Sequence, residues 1–329
     1  MGVAGMAGTV AGEGFEQRAE VYRTELLAHC YRMVGSAHDA EDLVQDTYLR
    51  AWRAREDYDE NRASLRTWLY RIATNVCLTA LEGRARRPLP SGLVESRGAR
   101  EPFVHGGEIA WLQPLPDALL RQGDPAGSIA HGGGLRLAFV AALQLLSARE
   151  RAVLILREVL AFSANEAAEI LGASTASVNS SLQRARVRLK EAGVEQEGVA
   201  EPSGAQQRAW VERYLKAFTE ADVAGLVRLL TEDVLMEMPP MLNWFTGREN
   251  YAAFMGWFFD TTVGTRWRLL PLEANGQPGF AAYRSGDGGR YELHTVQILT
   301  LRVDGISRTS VFQDDEVYAS FGLAKTLEG

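Results

Sequence analysis

Two helices joined by a glycine turn are predicted between Leu146 and Lys190, near the middle of the chain. Ser163 and Glu166 have the spacing of a capping box, in which both side chains satisfy backbone amides at a helix start. Gly172 then ends the short helix, because glycine readily adopts the positive φ of a tight turn. The second helix has an apolar stripe at helical spacing, formed by Val178, Leu182, Ala185 and Leu189.

The remaining faces of the second helix are polar and basic, and no acidic residue lies between Thr175 and Lys190. A helix-turn-helix inserts such a helix into the DNA major groove, where small polar side chains approach base edges and arginines hold phosphates. The candidate DNA contacts are Thr175, Ser177, Asn179, Ser180, Gln183, Arg184, Arg186 and Arg188. The alternative is a helical hairpin whose basic face is only solvated.

The length of 329 residues predicts two or three domains rather than one. A net charge of −7 argues against a wholly basic nucleic-acid-binding protein. The charge is uneven, since residues 200–329 hold 17 acidic and 12 basic residues, a net charge of −5, whereas the earlier part is near neutral. The arginines of the earlier part are therefore locally clustered.

The two cysteines, Cys30 and Cys77, are too few for a disulfide framework or a four-ligand zinc site, and we interpret them as core residues. The five histidines have no metal-ligand spacing, so neither a metal nor a cofactor is expected. The N-terminus lacks the basic start of a signal peptide, and no uninterrupted apolar run approaches about 20 residues. These features predict a cytoplasmic protein without a membrane span.

Residues 15–81 have a helical pattern, interrupted at Gly35-Ser36 and by the polar loop Glu56–Arg62. Two motifs lie in this part, AEDLVQDTYLRAW and ASLRTWLYRIATNVCL, and they resemble region 2 of the sigma-70 family of transcription initiation factors. The helix-turn-helix resembles region 4 of the same family. This pair, in this order and without extra helical regions, resembles the extracytoplasmic-function group. The resemblance implies core RNA polymerase and promoter DNA as partners.

In this family the DLVQD-type helix docks on the clamp helices of the largest polymerase subunit. The positions that match are Asp42, Leu43, Gln45 and Asp46, with Leu43 and Val44 helping to pack. Carboxylates and an amide on one exposed helical turn suit a basic partner. Without the resemblance, the same residues would be interpreted as a solvated acidic face near a helix start.

In this family the next loop and helix bind the −10 promoter element as single strand. The matching residues are Asn61, Arg62, Ser64, Arg66, Trp68, Arg71 and Asn75. Aromatic rings and arginines suit unpaired bases, although Trp68 fits a core position equally well. The basic stretch at Arg84, Arg86 and Arg87 predicts a phosphate contact, the alternative being the start of a solvated linker.

The expected domain plan is a disordered start (1–14), region 2 (15–90), a linker (91–134), region 4 (135–192), a second linker (193–205) and a C-terminal domain (206–329). The first linker is rich in Pro, Gly and Arg, and it contains an apolar anchor around Trp111. In the family this linker threads near the polymerase active-site and RNA-exit channels. Here it is longer than usual, and Trp111 is a candidate to pack on a domain of this chain instead.

Helices followed by strands are predicted in residues 206–329. The helical stretches are Gln206–Phe218, Ala221–Leu230 and Gly247–Phe259; the strand-like stretches are Val234–Met238, Arg266–Leu272, Gly279–Arg284, Tyr291–Val303 and Ile306–Val317. This order predicts an α+β cone with an antiparallel meander. VERYLKAFTEADVAGLVRLLTEDVLMEMPP and GRENYAAFM resemble the SnoaL-like group of the nuclear-transport-factor-2-like superfamily. The fold class is thus two all-α sigma domains followed by an NTF2-like cone.

Some members of that superfamily are isomerases and cyclases that use Asp, His or Tyr inside the cone. The candidate pocket residues here are Tyr214, Glu237, Trp244, Tyr283 and His294. They make no complete acid–base set that maps onto those enzymes, so no catalytic residue is assigned and the domain is interpreted as a ligand- or partner-sensing module.

Three functional hypotheses follow from the sequence. The first is an RNA polymerase sigma factor of extracytoplasmic-function type, not an enzyme, whose C-terminal domain regulates it. The second is a SnoaL-like enzyme carried by a DNA-binding helical module, and the third is a ligand-sensing repressor. Binding to core polymerase separates the first from the other two.

Overall fold

The computed structural model describes residues 14–121, 133–191 and 204–329, and the chain divides into two compact units. The first unit combines Met1–Arg87 with Asp117–Glu195, and the second combines Pro88–Pro116 with Gln196–Gly329. Three predicted stretches lie outside the described residues: 1–13 of the disordered start, 122–132 of the first linker and 192–203 around the second linker.

The described part of the first unit is helical. After a helical segment over residues 14–20, it contains α1 (Arg23–Val34), α2 (Ala37–Arg53), α3 (Leu65–Ala80), α4 (Asp117–Arg121), α5 (Leu137–Leu143), α6 (Ala148–Leu154), α7 (Ala164–Ile170) and α8 (Thr175–Glu191). A π-helical turn, Ile155–Val159, continues α6.

A glycine ends α1, and serine caps begin α2 and α3. Gly35, with φ of 72°, ends α1 at the predicted break, and the Ser36 hydroxyl accepts a hydrogen bond from the backbone amide of Asp39 at 3.2 Å. The Ser64 hydroxyl caps α3 in the same way. The shared core of these helices includes Leu26, Leu27, Cys30, Leu69, Ala73, Val76 and Cys77. Both cysteines are buried and free.

The predicted helix-turn-helix is confirmed in α7 and α8. Complete capping boxes begin α6 at Ser147 and α7 at Ser163. Gly172 has φ of 56° at the turn between α7 and α8. Ser174 caps α8, because its hydroxyl accepts a hydrogen bond from a first-turn backbone amide at 3.2 Å. The predicted apolar stripe of α8 is buried along its length.

Within this unit, α3 packs against α7, so the two predicted DNA-binding regions contact each other. The rings of Tyr70 and Phe162 meet edge to face at 5.2 Å between centroids, and the Arg66 guanidinium lies over Phe162 at 4.7 Å. The Arg32 side chain donates to the carbonyl oxygen of Gly134 at 2.8 Å. Aromatic packing and hydrogen bonds therefore hold the first three helices against α5–α8.

Arg151 is a second connection between the same two groups of helices. Its guanidinium donates to the carbonyl oxygen of Met33, at the end of α1, and to those of Leu143, Gln144 and Leu146 after α5. Only 3% of the residue is exposed. Burial and the neighbouring charge of Arg86 lower the pKa of Arg151 to about 10. The side chain therefore stays charged at neutral pH.

The described part of the second unit has an α+β fold. Its elements are α9 (Gly204–Thr219), α10 (Val223–Arg228), β1 (Leu230–Glu237), β2 (Trp244–Thr246), α11 (Arg248–Thr261), β3 (Trp267–Ala274), β4 (Gln277–Ser285), β5 (Tyr291–Arg302), β6 (Gly305–Phe312), α12 (Asp315–Ser320) and β7 (Thr326–Leu327).

The strands form one mixed sheet in the order β2-β1-β6-β5-β4-β3, and β7 pairs with β5. The predicted antiparallel meander is confirmed for β3 to β6, whereas β1 lies parallel to β6. The prediction of a strand through Val317 was wrong beyond Phe312. The cause is Asp314, whose carboxylate accepts hydrogen bonds from two backbone amides and begins α12.

Aromatic side chains fill the space between the sheet and the helices of the cone. Phe218 of α9 meets the rings of Phe259, Trp267 and Phe280 at centroid distances of 5.4–5.7 Å. Such contacts bury large apolar areas, at about 25 cal/mol for each Å² removed from water. This core accounts for much of the aromatic content of the C-terminal sequence.

Residues 88–116, most of which were predicted to be a linker, pack as part of the second unit. The backbone amides of Val104 and Leu115 donate to the side-chain oxygens of Asn243 (2.8 Å) and Asn275 (2.9 Å). Trp111 is buried in this unit. The segment folds onto the cone because side chains of the cone satisfy its irregular backbone.

Among the described residues, no helix is both long and apolar enough to cross a membrane. Over the same residues, no group of three or more histidine, cysteine and acidic side chains could hold a metal ion.

His29 gives the first unit a predictable dependence on pH. Its ring is fully buried and lies 3.0 Å from the Thr74 hydroxyl, and burial, together with the charge of Arg32, lowers its pKa to about 3. The unfolded chain binds a proton near pH 6.5, so stability is present above that pH and is lost as the pH falls towards 3. Between pH 7 and pH 5, protonation of His29 in the unfolded chain should lower the free energy of unfolding by about 2 kcal/mol.

Urea unfolding of the full chain at both pH values checks this expectation. His29→Gln should reduce the pH-dependent loss, whereas His38→Gln, at a largely exposed position, should leave it unchanged. Equal pH dependence in wild type and His29→Gln would contradict the assignment.

Candidate functional site

One exposed turn of α2 carries the residues predicted to bind polymerase. Asp42 and Gln45 are exposed, Asp46 is half-buried, and the Asp46 carboxylate pairs with Arg50 at 3.0 Å. Leu43 is partly buried beside this turn. Sequence reasoning did not single out Leu49, which lies one turn further on and is 56% exposed. The surface is therefore an acidic turn with one apolar residue beside it, and the spacing from Asp42 to Leu49 could have revealed this.

Most of the residues predicted to bind the −10 element are exposed. Asn61, Arg62, Arg71 and Asn75 are exposed around the start and outer face of α3. The remaining three predicted contacts, Ser64, Arg66 and Trp68, have partners inside the first unit.

These three residues have structural roles in this conformation, although Ser64 itself is exposed. The Ser64 hydroxyl caps α3, and Trp68 lies between the rings of Phe15 and Tyr58, at 6.0 and 5.1 Å between centroids. The Arg66 guanidinium donates to the carboxylate of Glu25 at 2.9 Å. Arg66 is therefore not presented to solvent as a free nucleic-acid contact here.

On α8, the predicted DNA contacts lie on the face opposite the buried stripe. Asn179, Ser180 and Gln183 are exposed, and Thr175 and Ser177 are partly buried. This polar face is followed by the three arginines of the second half of the helix.

Acidic residues of the preceding helices pair with those arginines. Glu150 bonds both Arg184, at 3.3 Å, and Arg188, at 2.6 Å, while Glu158 bonds Arg186 at 2.6 Å. Burial raises the pKa of Glu150, but hydrogen bonds from Ser147 and the arginine charges outweigh it, and the net pKa is lowered. Glu150 thus remains ionised and holds two predicted DNA-contacting arginines.

The five candidate pocket residues of the cone have separate partners. Tyr214 is fully buried and its hydroxyl lies 2.6 Å from that of Tyr251. The Tyr283 hydroxyl donates to the carbonyl oxygen of Ala324 at 2.9 Å. Burial raises the pKa of both Tyr214 and Tyr283, so both phenols are neutral at pH 7.

His294 lies against aromatic rings at another part of the sheet. Its ring centroid is 6.1 Å from that of Phe258 and 5.6 Å from that of Trp267. Burial and then the charge of Arg284 lower the pKa of His294 to about 4, so the imidazole is neutral at pH 7.

Glu237 and Trp244 are the two candidates that the structure brings together. They are directly paired across β1 and β2, and both bond the 88–116 segment. The Ser91 hydroxyl donates to Glu237 at 2.8 Å, and the Trp244 indole donates to the carbonyl oxygen of Val94 at 2.8 Å. Arg308 neutralises the fully buried Glu237 at 2.8 Å. These side chains hold the segment on the cone.

Comparison with known protein families assigns three parts of the chain. Residues 19–87 match Sigma-70 region 2, residues 136–189 match Sigma-70, region 4, and residues 211–309 match the SnoaL-like domain. The ECF RNA polymerase sigma factor SigG of Mycobacterium tuberculosis is 44% identical over 319 residues, which are 95% of this chain and 85% of the relative. The chain therefore belongs to the extracytoplasmic-function (ECF) RNA polymerase sigma factors.

A solved structure extends the fold similarity over the whole chain. The crystal structure of M. tuberculosis extracytoplasmic function sigma factor SigJ aligns with a TM-score of 0.64 at 20% identity, covering 94% of this chain and 99% of that one. Sigma factor SigW of Bacillus subtilis is 27% identical and covers 54% of this chain, with 88% of its own length aligned. The helical sigma regions and the additional C-terminal cone thus have the same folds as the corresponding parts of SigJ.

Removing the Glu237 carboxylate should strongly destabilise the second unit. Glu237→Ala leaves the Arg308 guanidinium without its buried partner and the Ser91 hydroxyl without its acceptor, which should cost about 3–5 kcal/mol of unfolding free energy. Urea unfolding followed by the tryptophan fluorescence of the second unit measures this loss.

Glu232→Ala is the matched control, because Glu232 is exposed on the same strand. It should change stability by no more than about 0.5 kcal/mol. Similar unfolding midpoints for the two variants would show that the buried ion pair does not hold this unit together.

Proposed function

We propose that this chain binds core RNA polymerase through α2, reads the −10 element with α3 and the loop before it, and reads the −35 element with α8. The observation that carries the proposal is the presence of both sigma regions in one chain, with Asp42, Gln45 and Asp46 on an accessible turn. Because polymerase and chromosome share the bacterial cytoplasm, the protein acts there.

The first unit must open before it can bind a promoter in this way. The −10 and −35 elements lie about 25 base pairs apart, which is about 85 Å at 3.4 Å per base pair. A 17-residue helix such as α8 is only about 26 Å long, and α3 packs against α7, the neighbour of α8. The two recognition surfaces cannot reach both elements while these contacts persist.

The C-terminal cone is suited to controlling this opening through the 88–116 segment. The 29 residues of this segment connect the two sequence parts of the first unit, and fully extended they would span about 95 Å. Docked on the cone, the segment returns on itself, because the amide of Leu112 donates to the carbonyl oxygen of Pro88 at 3.0 Å. Docking therefore shortens the path from Arg87 to α4, and because α4 packs on α1, the connection to region 4 lengthens fully only when α4 also detaches.

This role is regulatory rather than catalytic. Tyr214 bonds another phenol, and Glu237 has Arg308 as its counter-ion, so neither is positioned as a free acid or base. A SnoaL-like enzyme on a DNA-binding module, and a ligand-sensing repressor, both leave the acidic turn of α2 without a function. The sigma-factor assignment accounts for that turn.

Polymerase binding is tested by Asp42→Arg combined with Gln45→Ala. Reversing the charge of one exposed carboxylate should replace attraction to a basic partner by repulsion, and binding to core polymerase should weaken at least tenfold. Fluorescence anisotropy of labelled protein measures the affinity, and circular dichroism checks that helicity is retained.

Glu56→Arg is the matched control, since Glu56 is an exposed acid after α2 and outside the predicted turn. It should reduce affinity much less than the double substitution. Unchanged affinity in the double variant, with normal helicity, would remove α2 as the docking surface.

Loosening the 88–116 segment should increase promoter-directed transcription. Ser91→Ala with Trp244→Phe removes two hydrogen bonds that hold the segment, and deletion of residues 206–329 removes its docking surface. Run-off transcription with reconstituted holoenzyme should rise several-fold for both variants, because the sigma regions separate more easily.

Trp210→Phe is the matched control, because it is the same kind of substitution in the cone but at a residue that packs against the core. Its output should match that of wild type. If the double substitution and the deletion both transcribe like wild type, with the same promoter preference, the cone does not regulate through this segment.

A further inference from the structure

A cleft of about 280 Å³ lies within the first unit, between the end of the first group of helices and the start of α6. One wall contains Arg84, Arg86 and Arg87, which follow α3, and the other contains Arg188 of α8. Buried Arg151 also lines the cleft. Its volume is close to the lower end of the range of about 300–1,000 Å³ that small-molecule sites occupy.

The charge of this arginine cleft is strongly positive. Five guanidinium groups line it, and the carboxylates nearby are Asp39, in the lining, and Glu150, beside it. Asp39 is shared, because it bonds Arg87 at 2.9 Å and lies 3.4 Å from Arg84. Glu150 is likewise shared between Arg188 and Arg184. The two carboxylates are therefore outnumbered by the cations that they contact.

Arg151 and Arg86 add positive charge that these carboxylates do not neutralise. The guanidinium of Arg151 donates to carbonyl oxygens, which satisfy its hydrogen bonds but carry no net charge. Arg86 is exposed at the mouth, and its charge contributes to the lowered pKa of Arg151. The like charges of Arg86 and Arg151 repel, so an anion in the cleft would stabilise both side chains.

We propose that the arginine cleft binds a small anion with several phosphate groups, either an inorganic polyphosphate or the phosphate chain of a nucleotide. Guanidinium groups bind phosphate oxygens through paired, charge-assisted hydrogen bonds, and a di- or triphosphate chain carries enough charge to engage several arginines at once. A single carboxylate or chloride would leave most of the positive charge unmatched.

The size and composition of the cleft favour a small anion over promoter DNA. Its lining includes a buried arginine and residues from both sigma regions. The choice of a small anion over promoter DNA rests partly on the proposed function. In that function a promoter-bound chain would have its sigma regions apart, and the cleft would no longer exist. An anion bound here would contact both regions and stabilise their association.

Calorimetric titration of the full chain with sodium tripolyphosphate, with ATP and with a duplex oligonucleotide tests the proposal. We expect one tripolyphosphate per chain, weaker binding at high salt and a raised melting temperature. Equal affinities for ATP and tripolyphosphate would assign recognition to the phosphate chain alone. Tighter binding of ATP would show that the nucleoside also contributes.

Two variants with opposite expected effects make the test independent of folding defects. Arg86→Gln should weaken tripolyphosphate binding about tenfold, the effect of losing one charged contact of about 1.4 kcal/mol. Asp39→Asn should strengthen it several-fold, because it removes a carboxylate that competes for Arg84 and Arg87. Arg53→Gln, at an exposed position on α2, is the matched control and should bind like wild type.

Several results would overturn the proposal. These are the absence of saturable binding to wild type, equal weakening in Arg53→Gln and Arg86→Gln, and weaker binding in Asp39→Asn. If Arg86→Gln weakened duplex binding but left tripolyphosphate binding unchanged, the cleft would instead be assigned to DNA phosphates. Because these titrations need no polymerase, failure here would leave the proposed sigma-factor function untouched.

Discussion

The closed first unit depends on a buried arginine that donates hydrogen bonds to carbonyl oxygens at two helix ends. The last carbonyl groups of a helix have no partner within the helix, and Met33 contributes one of them at the end of α1. Arg151 satisfies it together with three carbonyls that follow α5. Because an unsatisfied buried carbonyl costs free energy, separating the two groups of helices requires water to replace these bonds. The guanidinium therefore stabilises the contact between the two groups of helices.

The second constraint on opening is the path of the chain between those regions. A flexible linker of this length would allow wide separation at little entropic cost, since closure entropy changes only slowly with length. Here the segment is held by hydrogen bonds to Asn243, Trp244 and Asn275. In the proposed mechanism, release of the segment would leave only the contacts inside the first unit to oppose its opening.

Local signals in the sequence predicted the helices and their caps well. Ser163 and Gly172 have the predicted roles, because capping and turn chemistry depend on neighbours within four residues. The parallel pairing of β1 with β6 could not be predicted in this way, because it joins residues that are about 70 positions apart. The end of β6 differs from the prediction for a local reason, because the Asp314 side chain caps the start of α12.

In the candidate sites, too, contacts between residues distant in sequence could not be predicted from local patterns. Exposure on α2 and α8 followed from helical periodicity, so the acidic turn and the polar DNA face were predictable. The partner of each charged group could not be predicted from helical periodicity. Glu25 and Glu150 lie 41 and 34 residues from Arg66 and Arg184, and only the tertiary fold brings them together. The docking role of Glu237 and Trp244 depends on a segment nearly 150 residues earlier in the chain.

The pairing of predicted DNA-binding arginines with carboxylates has a consequence for promoter recognition. The guanidinium ends of Arg184, Arg186 and Arg188 are at least half exposed, so each can reach a phosphate. Glu150 and Glu158 are largely buried, however, so breaking these pairs costs more than the about 0–1 kcal/mol of a fully exposed pair. Glu150 itself is buried and keeps the hydrogen bonds of its capping box with Ser147 when the arginines leave. For these arginines to bind DNA as proposed, counterion release and base contacts would have to offset the cost of breaking the internal pairs. Arg66 differs, because it is partly buried between Glu25 and the ring of Phe162, so using it as a DNA contact requires the sigma regions to separate first. In the proposed binding mode, the exposed residues of α8 could contact the −35 element on the closed unit, whereas Arg66 could not contact the −10 element until the unit opens.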